Sequence, residues 1–177
     1  GWVGVLGFSL GGVAAILAAA EDPGGVDAVV ADSVFPDLHG YLTGEIARRV
    51  PLPGPKEAYF LWWFRRLTGI DEREVRPGEA ALRLAPRPLL LIHGTDDRVI
   101  PVAQGRAFQA SLGAAAELWV VDGARHTHSY ERDPSAYCER IVRFFLDHAT
   151  NPLRGGGCFI VFILLRALEV EKCRVRG

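Results

Sequence analysis

Short apolar runs alternate along this chain with longer segments in which apolar residues recur at helical spacing. The runs are apolar on both faces, which is typical of strands in a parallel sheet that helices cover on both sides. They span residues 2–7, 26–31, 89–93 and 117–121. The helical segments span residues 10–21, 101–112 and 134–148. This alternation predicts an α/β fold: a parallel sheet with helices on both faces.

Residues 34–85 interrupt the alternation. This segment holds several prolines and the aromatic run Tyr59-Phe60-Leu61-Trp62-Trp63-Phe64. Its apolar spacing predicts two helices, near residues 38–49 and 56–68. Four large residues share one face of the second helix: Tyr59, Trp62, Trp63 and Leu67. We interpret the segment as a helical insertion into the α/β framework.

The first predicted strand runs directly into Gly7-Phe8-Ser9-Leu10-Gly11 and then into a helix. A G-x-S-x-G pattern at a strand-to-helix turn is typical of a nucleophile elbow. Such a turn exposes the serine hydroxyl, and it brings strand and helix so close that the flanking positions require glycine. The N–H of Leu10, at the start of the helix, points towards a developing oxyanion. The pentapeptide alone is weak evidence, because glycine and serine are common.

Two later loops strengthen this interpretation. The sequence H-G-T-D-D-R-V-I-P at residues 93–101 follows the third predicted strand, and D-G-A-R-H-T at residues 122–127 follows the fourth. The chain order serine, aspartate, histidine, each just beyond a strand, is that of the α/β-hydrolase superfamily. From residue 1 to about residue 149 the chain resembles this superfamily. The resemblance is greatest to its bacterial esterases and to its dienelactone-hydrolase-like and prolyl-oligopeptidase-like branches.

The resemblance implies which residues carry the chemistry. Its H-G-x-x-D pattern makes Asp97 the acid of a catalytic triad, with Asp96 as the alternative. Its G-A-x-H pattern makes His126 the base, with His128 as the alternative. The nucleophile is Ser9.

The function that the resemblance implies is hydrolysis of an ester or related acyl bond in a small-molecule substrate. Ser9 attacks the carbonyl, His126 takes the serine proton and passes it to the leaving group, and Asp97 orients the imidazole. The Leu10 N–H supplies half of the oxyanion hole, and the other half is expected from a loop outside this chain. No metal ion or organic cofactor is needed. A prolyl-oligopeptidase-like peptidase and a non-catalytic remnant or scaffold are the alternatives.

The superfamily places a lid where residues 34–85 stand, and the aromatic residues of this lid have two interpretations. Their helical spacing favours the packing face of the lid. The other interpretation is a pocket wall for the acyl or aromatic part of a substrate, with Phe8, Trp62 and Trp63 as candidate substrate-binding residues.

A nucleotide-binding fold is a competing interpretation of the N-terminal segment. Glycines follow the first strand and open the helix, and Asp32 ends the next strand, where a ribose-binding acid would lie. The glycine spacing is not G-x-G-x-x-G, however, and a dinucleotide site gives no role to the loops at 93–101 and 122–128. The sequence therefore favours the hydrolase.

Composition narrows the range of partners. A formal net charge of −1 provides no electrostatic basis for binding nucleic acid or an anionic membrane surface. The cysteines are too few and too scattered for a disulfide framework or a zinc site, and Cys138 is expected to be a small core residue. We expect a cytoplasmic protein with no membrane span, and nothing in the sequence indicates the oligomeric state.

The two ends of the chain are unusual. There is no methionine, and the chain begins on the strand that leads to Ser9. We therefore expect the C-terminal half of a longer hydrolase, with residues 1–149 as a partial domain whose missing strands pair with the first strand. Residues 150–177 combine a glycine-rich linker, an apolar run too short to span a bilayer and a basic end. The tail has three interpretations: an out-of-frame extension, an interaction segment, or a strand that forms only in a crystal.

Overall fold

The computed structural model describes residues 1–49 and 55–149 in full and the backbone of residues 159–163. The strands are β1 Val3–Phe8, β2 Ala28–Asp32, β3 Leu89–Gly94, β4 Glu117–Val121 and β5 Phe159–Ile163. The helices are α1 Leu10–Glu21, α2 Leu38–Arg49, α3 Lys56–Thr68, α4 Pro77–Leu82, α5 Val102–Leu112, α6 Ser129–Arg132 and α7 Pro134–His148. Every strand and helix predicted from the sequence is present, with small shifts at the ends.

The strands form one parallel sheet in the order β4-β3-β2-β1-β5. Phe8 at the end of β1 lies opposite Asp32 at the end of β2, and Asp32 in turn lies opposite Ile92 of β3. The C-terminal ends of three adjacent strands therefore meet on one side of the sheet. The residues that follow these strands are brought together there.

Side chains alternate between the two faces of the sheet and build two cores. On one face, strand residues such as Val5 and Leu91 pack with α1, α4 and α5. On the other face, strand residues such as Leu6 and Ile92 pack with α7. Burial on both faces explains why the strands are continuous apolar runs. The prediction of helices on both faces is confirmed.

The ends and the buried side of α7 follow from its sequence. The Asp133 carboxylate accepts a 3.0 Å hydrogen bond from the Ala136 N–H, and Pro134 occupies the first turn, where a missing N–H is harmless. The buried residues recur at helical spacing: Tyr137, Ile141, Phe144 and Phe145. Cys138 on the same helix is half-buried and disulfide-bonded, so the expectation of a simple core residue is wrong.

The insertion at residues 34–85 contains the two predicted helices, α2 and α3, and the short helix α4, which the sequence analysis missed. Helix α4 has six residues, too few for a periodic pattern to stand out. Helix α2 is attached to the loop after β3. The Tyr41 hydroxyl donates to the Val99 carbonyl at 3.2 Å, and Arg49 donates to the Arg98 carbonyl at 3.1 Å. The insertion therefore lies beside the loop that carries Asp97.

A buried carboxylate joins α2 and α3. The Glu72 side chain is fully buried, and Arg65 of α3 donates to its two oxygens at 2.8 and 2.5 Å. His39 of α2 contacts the same carboxylate at 3.1 Å. The hydrogen bonds from Arg65 lower the pKa of Glu72 to about 2 and outweigh the effect of burial, which raises it. Glu72 therefore stays ionised and links the two helices.

The aromatic face of α3 points away from the core. Leu61 is buried and Phe64 packs against the core, so these two residues make the inward contacts. The residues predicted to pack inward are instead exposed: Tyr59, Trp62, Trp63 and Leu67. That expectation is therefore wrong. Both stripes have helical spacing, so periodicity alone did not distinguish the inward face from the outward one.

Strand β5 lies along the outer edge of β1, with Val3 opposite Phe159 and Gly7 opposite Ile163. From the sequence we expected strands outside the chain to pair with this edge of β1, and in this structure the tail occupies it. Residues 159–163 of the tail thus form an added parallel strand. The remainder of residues 150–177 lies outside the described residues.

Candidate active site

Ser9 stands between β1 and α1 in a strained backbone conformation. Its φ is 50° and its ψ is −123°, a combination that residues other than glycine rarely adopt. Strain of this kind raises the energy by about 1–3 kcal/mol and is found mostly at functional sites. The Ser9 N–H donates to the Asp32 carbonyl at 2.8 Å, which ties the turn to the neighbouring strand.

Two glycines allow strand and helix to approach at this turn. A Cβ on Gly7 would lie 2.5 Å from the carbonyl oxygen of Gly11. A Cβ on Gly12 would lie 2.7 Å from a methyl carbon of Val34. The expectation that the turn requires glycine close to the serine therefore holds at Gly7. The structure adds Gly12 as a second position where strand and helix approach closely.

Asp97, in the loop after β3, has a fully buried carboxylate. One of its oxygens accepts hydrogen bonds from the backbone N–H groups of Val99 and Ile100, at 2.9 and 2.8 Å. The other accepts from Nδ1 of His126 at 2.8 Å. Burial raises the pKa of Asp97, but the bonds from His126 and the Ile100 amide outweigh it and hold that pKa below its ordinary value. Asp97 is therefore a fixed negative charge beside the imidazole.

The imidazole of His126 joins Asp97 to Ser9. Its Nδ1 lies 2.8 Å from Oδ2 of Asp97, and its Nε2 lies 3.0 Å from Oγ of Ser9. The bond to the carboxylate requires a proton on Nδ1, which leaves Nε2 of the neutral ring as an acceptor for the serine hydroxyl. The His126 side chain is 20% exposed, so the ring borders solvent. This geometry can remove the serine proton during attack on a carbonyl.

The two alternative residues lie outside this arrangement. Asp96 is exposed, and its backbone N–H donates to the Ala124 carbonyl at 3.0 Å. His128 donates from Nδ1 to the His126 carbonyl, and its Nε2 lies 3.4 Å from the Glu131 carboxylate. The structure thus brings Ser9, Asp97 and His126 together and places Asp96 and His128 elsewhere.

His93 is hydrogen-bonded to the loop that carries Asp97. It is buried, and its Nε2 donates to the Ile100 carbonyl at 2.7 Å. Burial lowers the pKa of His93, so the ring stays neutral at this position.

Leu10 is the first residue of α1 and lies next to Ser9. An N–H in the first turn of a helix has no acceptor within that helix, so the Leu10 N–H is a candidate donor to an oxyanion. Phe8 is buried and stacks on Tyr137 with ring centroids 6.5 Å apart. Trp62 and Trp63 lie on the outer face of α3, 55% and 40% exposed. Substrate binding by Phe8, Trp62 and Trp63 stays a prediction.

A buried network that local sequence patterns did not predict lies beneath the His126 loop. The Asp32 carboxylate accepts hydrogen bonds from three hydroxyl groups, those of Ser33 at 2.9 Å, Ser129 at 3.3 Å and Tyr137 at 3.0 Å. Burial raises the pKa of Asp32 to about 6, although these bonds lower it. The signal in the sequence was an Asp-Ser pair directly after the strand next to the elbow.

The burial of Asp32 also decides against the nucleotide-binding interpretation. Its side chain has no solvent exposure, so it cannot reach a ribose. Among the described residues, no group of three histidine, cysteine, aspartate or glutamate side chains is placed to hold a metal ion. In the same part of the chain, no helix combines the length and the apolar character that crossing a bilayer requires.

Comparison with known sequences identifies a family for this chain. Residues 2–152 match the model of Peptidase_S9, the prolyl oligopeptidase family. The uncharacterized protein YqkD of Bacillus subtilis is 31% identical over 154 residues, which cover 85% of this chain and 50% of YqkD. The chain therefore spans about half the length of this relative.

Comparison with solved structures shows the same fold. The esterase Pf2001 of Pyrococcus furiosus superposes with a TM-score of 0.58 at 22% identity, covering 83% of this chain and 54% of the esterase. The acylaminoacyl peptidase of Pyrococcus horikoshii superposes with a TM-score of 0.59 at 19% identity, covering 96% of this chain and 26% of the peptidase. Both likenesses show an α/β-hydrolase fold. With the match over residues 2–152, this chain belongs to the prolyl oligopeptidase family of the α/β hydrolases.

Proposed function

We propose that this chain carries the catalytic triad of a serine hydrolase that cleaves ester or related acyl bonds through an acyl-enzyme on Ser9. The observation that carries the proposal is the pair of contacts made by His126, 2.8 Å to Asp97 and 3.0 Å to Ser9. A buried carboxylate, an imidazole and a hydroxyl in this order form the constellation that activates a serine nucleophile. The small-molecule substrate and the cytoplasmic location stay predictions.

The proposed reaction has two halves. Oγ of Ser9 attacks the substrate carbonyl, Nε2 of His126 takes the hydroxyl proton, and Asp97 stabilises the imidazolium that results. The Leu10 N–H stabilises the oxyanion, and collapse of the tetrahedral intermediate expels the leaving group with the proton from His126. Water then attacks the acyl group, gives its proton to His126 and releases the acid. Ser9 regains its proton in the last step.

A second candidate is a peptidase, which the match to the prolyl oligopeptidase family favours. The acyl-enzyme and the triad are the same in both reactions, and the leaving group differs. An alcohol leaves readily, whereas an amine must be protonated as it departs, so amide cleavage depends more strongly on His126 as an acid. In a third candidate, a non-catalytic scaffold, these residues have a structural role alone.

A substrate panel distinguishes the three candidates. The protein is given p-nitrophenyl acyl esters and aminoacyl p-nitroanilides, with the Ser9→Ala variant as the control. Ester turnover that disappears in Ser9→Ala, with little anilide turnover, supports the esterase. Anilide turnover at a comparable or higher kcat/KM supports the peptidase. Turnover of neither class, or turnover that persists in Ser9→Ala, contradicts the proposal.

A further inference from the structure

The turn that follows β2 touches all three elements of the candidate triad. Asp32, the last residue of β2, and Ser33, which follows it, form this turn, and their backbones make two connections. The Asp32 carbonyl accepts from the Ser9 N–H at 2.8 Å, and the Ser33 N–H donates to the Ile92 carbonyl of β3 at 2.8 Å. Strand β3 leads directly into the Asp97 loop. The nucleophile and the acid are thus both attached to this one turn.

The side chains of the same turn hold the histidine loop. Oγ of Ser33 accepts a hydrogen bond from the Thr127 N–H at 3.1 Å and donates its own proton to Oδ1 of Asp32 at 2.9 Å. A serine hydroxyl has one proton, so donation to Asp32 directs an oxygen lone pair at Thr127. Since Thr127 follows His126 in the chain, this contact fixes the backbone that carries the imidazole.

Both partners of this contact are strained. Ser33 has a φ of 60° and Thr127 a φ of 59°, in the left-handed region that favours glycine. A β-branched residue is disfavoured there more than most. Such conformations persist only where the surrounding contacts determine them, and they cluster at functional sites. The bond between Ser33 and Thr127 is one of the contacts that keeps the His126 loop in this conformation.

A carboxylate such as that of Asp32 is unusual at a buried position where the side chain only accepts hydrogen bonds. Asp32 is fully buried, and within the part of the chain that the structure describes its carboxylate accepts from hydroxyl groups alone, those of Ser33, Ser129 and Tyr137. Burying a carboxylate among neutral partners is unfavourable, and an amide or an apolar residue would fill the same volume. A carboxylate, however, accepts from every hydroxyl at once, which sets the direction of the Ser33 proton.

We propose that Asp32 and Ser33 are positioning residues that hold Ser9 and the His126 loop in the relative positions that the reaction requires. The expected effect on the kinetics rests on the proposed function. The expected effect on the structure of the His126 loop rests on the geometry alone. Loss of the Ser33 hydroxyl releases the Thr127 N–H and lets the imidazole move relative to Ser9. A displacement of this kind lowers the rate of the chemical step and leaves the affinity for substrate largely unchanged.

The test removes the Ser33 hydroxyl in two ways that differ in backbone strain. Ser33→Ala keeps a Cβ at a φ of 60°, whereas Ser33→Gly relieves the strain and so protects against loss of the fold. The matched control is Ser129→Ala, which removes another hydroxyl donor to the same Asp32 oxygen without touching Thr127. Asp32→Asn replaces one carboxylate oxygen with an N–H donor, so the side chain can no longer accept from all three hydroxyl groups and the direction of the Ser33 proton is no longer fixed.

Two measurements are made on each variant. The first is kcat and KM with a p-nitrophenyl ester, together with the rate of inactivation by a fluorophosphonate. Both Ser33 variants and Asp32→Asn should lower kcat and the inactivation rate by about 10- to 100-fold with KM nearly unchanged. Ser129→Ala should stay within about threefold of the unmodified protein. Equal effects of Ser33→Gly and Ser129→Ala, or a change in KM alone, overturn the proposal.

The second measurement is amide hydrogen exchange at Thr127, which needs no activity. Faster exchange at Thr127 in both Ser33 variants, and unchanged exchange in Ser129→Ala, supports the proposal. Unchanged exchange in the Ser33 variants overturns it. An unmodified protein that neither reacts with the fluorophosphonate nor turns over ester contradicts the proposed function, and the exchange data then still decide the positioning role.

Discussion

Nε2 of His126 lies 3.0 Å from Oγ of Ser9, although 117 residues separate them along the chain. Their strands are not neighbours, since β2 and β3 lie between β1 and β4 in the sheet. The histidine loop therefore reaches across two strand ends to meet the serine. The contact between them therefore depends on the hydrogen bonds made at those strand ends as well as on the two residues themselves.

Replacing Asp97 with asparagine should remove most of the activity. An amide in its place favours the wrong tautomer of His126 and leaves the imidazolium without a charge partner, so we expect kcat to fall by about 10⁴-fold. The measurement is kcat for ester hydrolysis at a fixed pH. Asp96→Asn is the matched control, because this neighbour is exposed, and it should retain activity within a few-fold. If Asp96→Asn is the inactive variant, the assignment of the acid is wrong.

Replacing Gly7 with alanine should destabilise the fold, because the new Cβ would meet the Gly11 carbonyl at 2.5 Å. Neither atom belongs to a flexible side chain, so strand or helix must shift, and we expect a loss of about 1–3 kcal/mol in the free energy of unfolding. The control is Gly44→Ala in α2, where nothing lies within 4 Å of the added Cβ. Alanine within a helix should there raise stability by about 0.5–1 kcal/mol. Urea unfolding gives both values, and equal effects would contradict the close approach at the elbow.

Glu72 makes a pH-dependent contribution to the stability of the insertion. Its pKa is about 2 in the folded protein, below its ordinary value of 4.5, chiefly because Arg65 donates hydrogen bonds to it. The carboxylate therefore stabilises the fold fully above pH 4.5, and this stabilisation disappears as the pH falls through about 2.

The variant Glu72→Gln should lower the free energy of unfolding by about 1–3 kcal/mol at pH 7, since Arg65 and His39 lose the charge of their shared partner and one of its two acceptor oxygens. The difference from the unmodified protein should shrink steadily towards pH 2. Glu79→Gln breaks an exposed pair with Arg76 and should change stability by less than about 0.5 kcal/mol. Thermal unfolding followed by circular dichroism across this pH range measures both, and a constant difference would count against the Glu72 link.

The proximity of Ser9, Asp97 and His126 could be predicted because the signals for these residues are local. Ser9 stands in a five-residue pattern, and Asp97 and His126 each follow an apolar run at a fixed offset. The parallel sheet could also be predicted from the sequence, because burial on both faces produces continuous apolar runs. The choice of Asp97 over Asp96 came from the resemblance to a known superfamily.

The contacts that support the site could not be predicted from local patterns. The bond between Ser33 and Thr127 joins residues 94 positions apart, and periodicity does not report such pairs. The outward direction of Trp62 and Trp63 was missed for a related reason, because two faces of α3 carry apolar residues at helical spacing. A strand in the tail was one of three interpretations that stayed open, because the partner of β5 is β1, at the opposite end of the chain.

Covalent labelling of Ser9 tests the central claim most directly. The folded full-length protein is treated with a fluorophosphonate, and the modified residue is located by peptide mapping with mass spectrometry. A single adduct on Ser9, lost in Ser9→Ala and formed far more slowly in His126→Ala, is the result that this account predicts. An adduct on another residue, or no adduct on protein that circular dichroism shows to be folded, would contradict it.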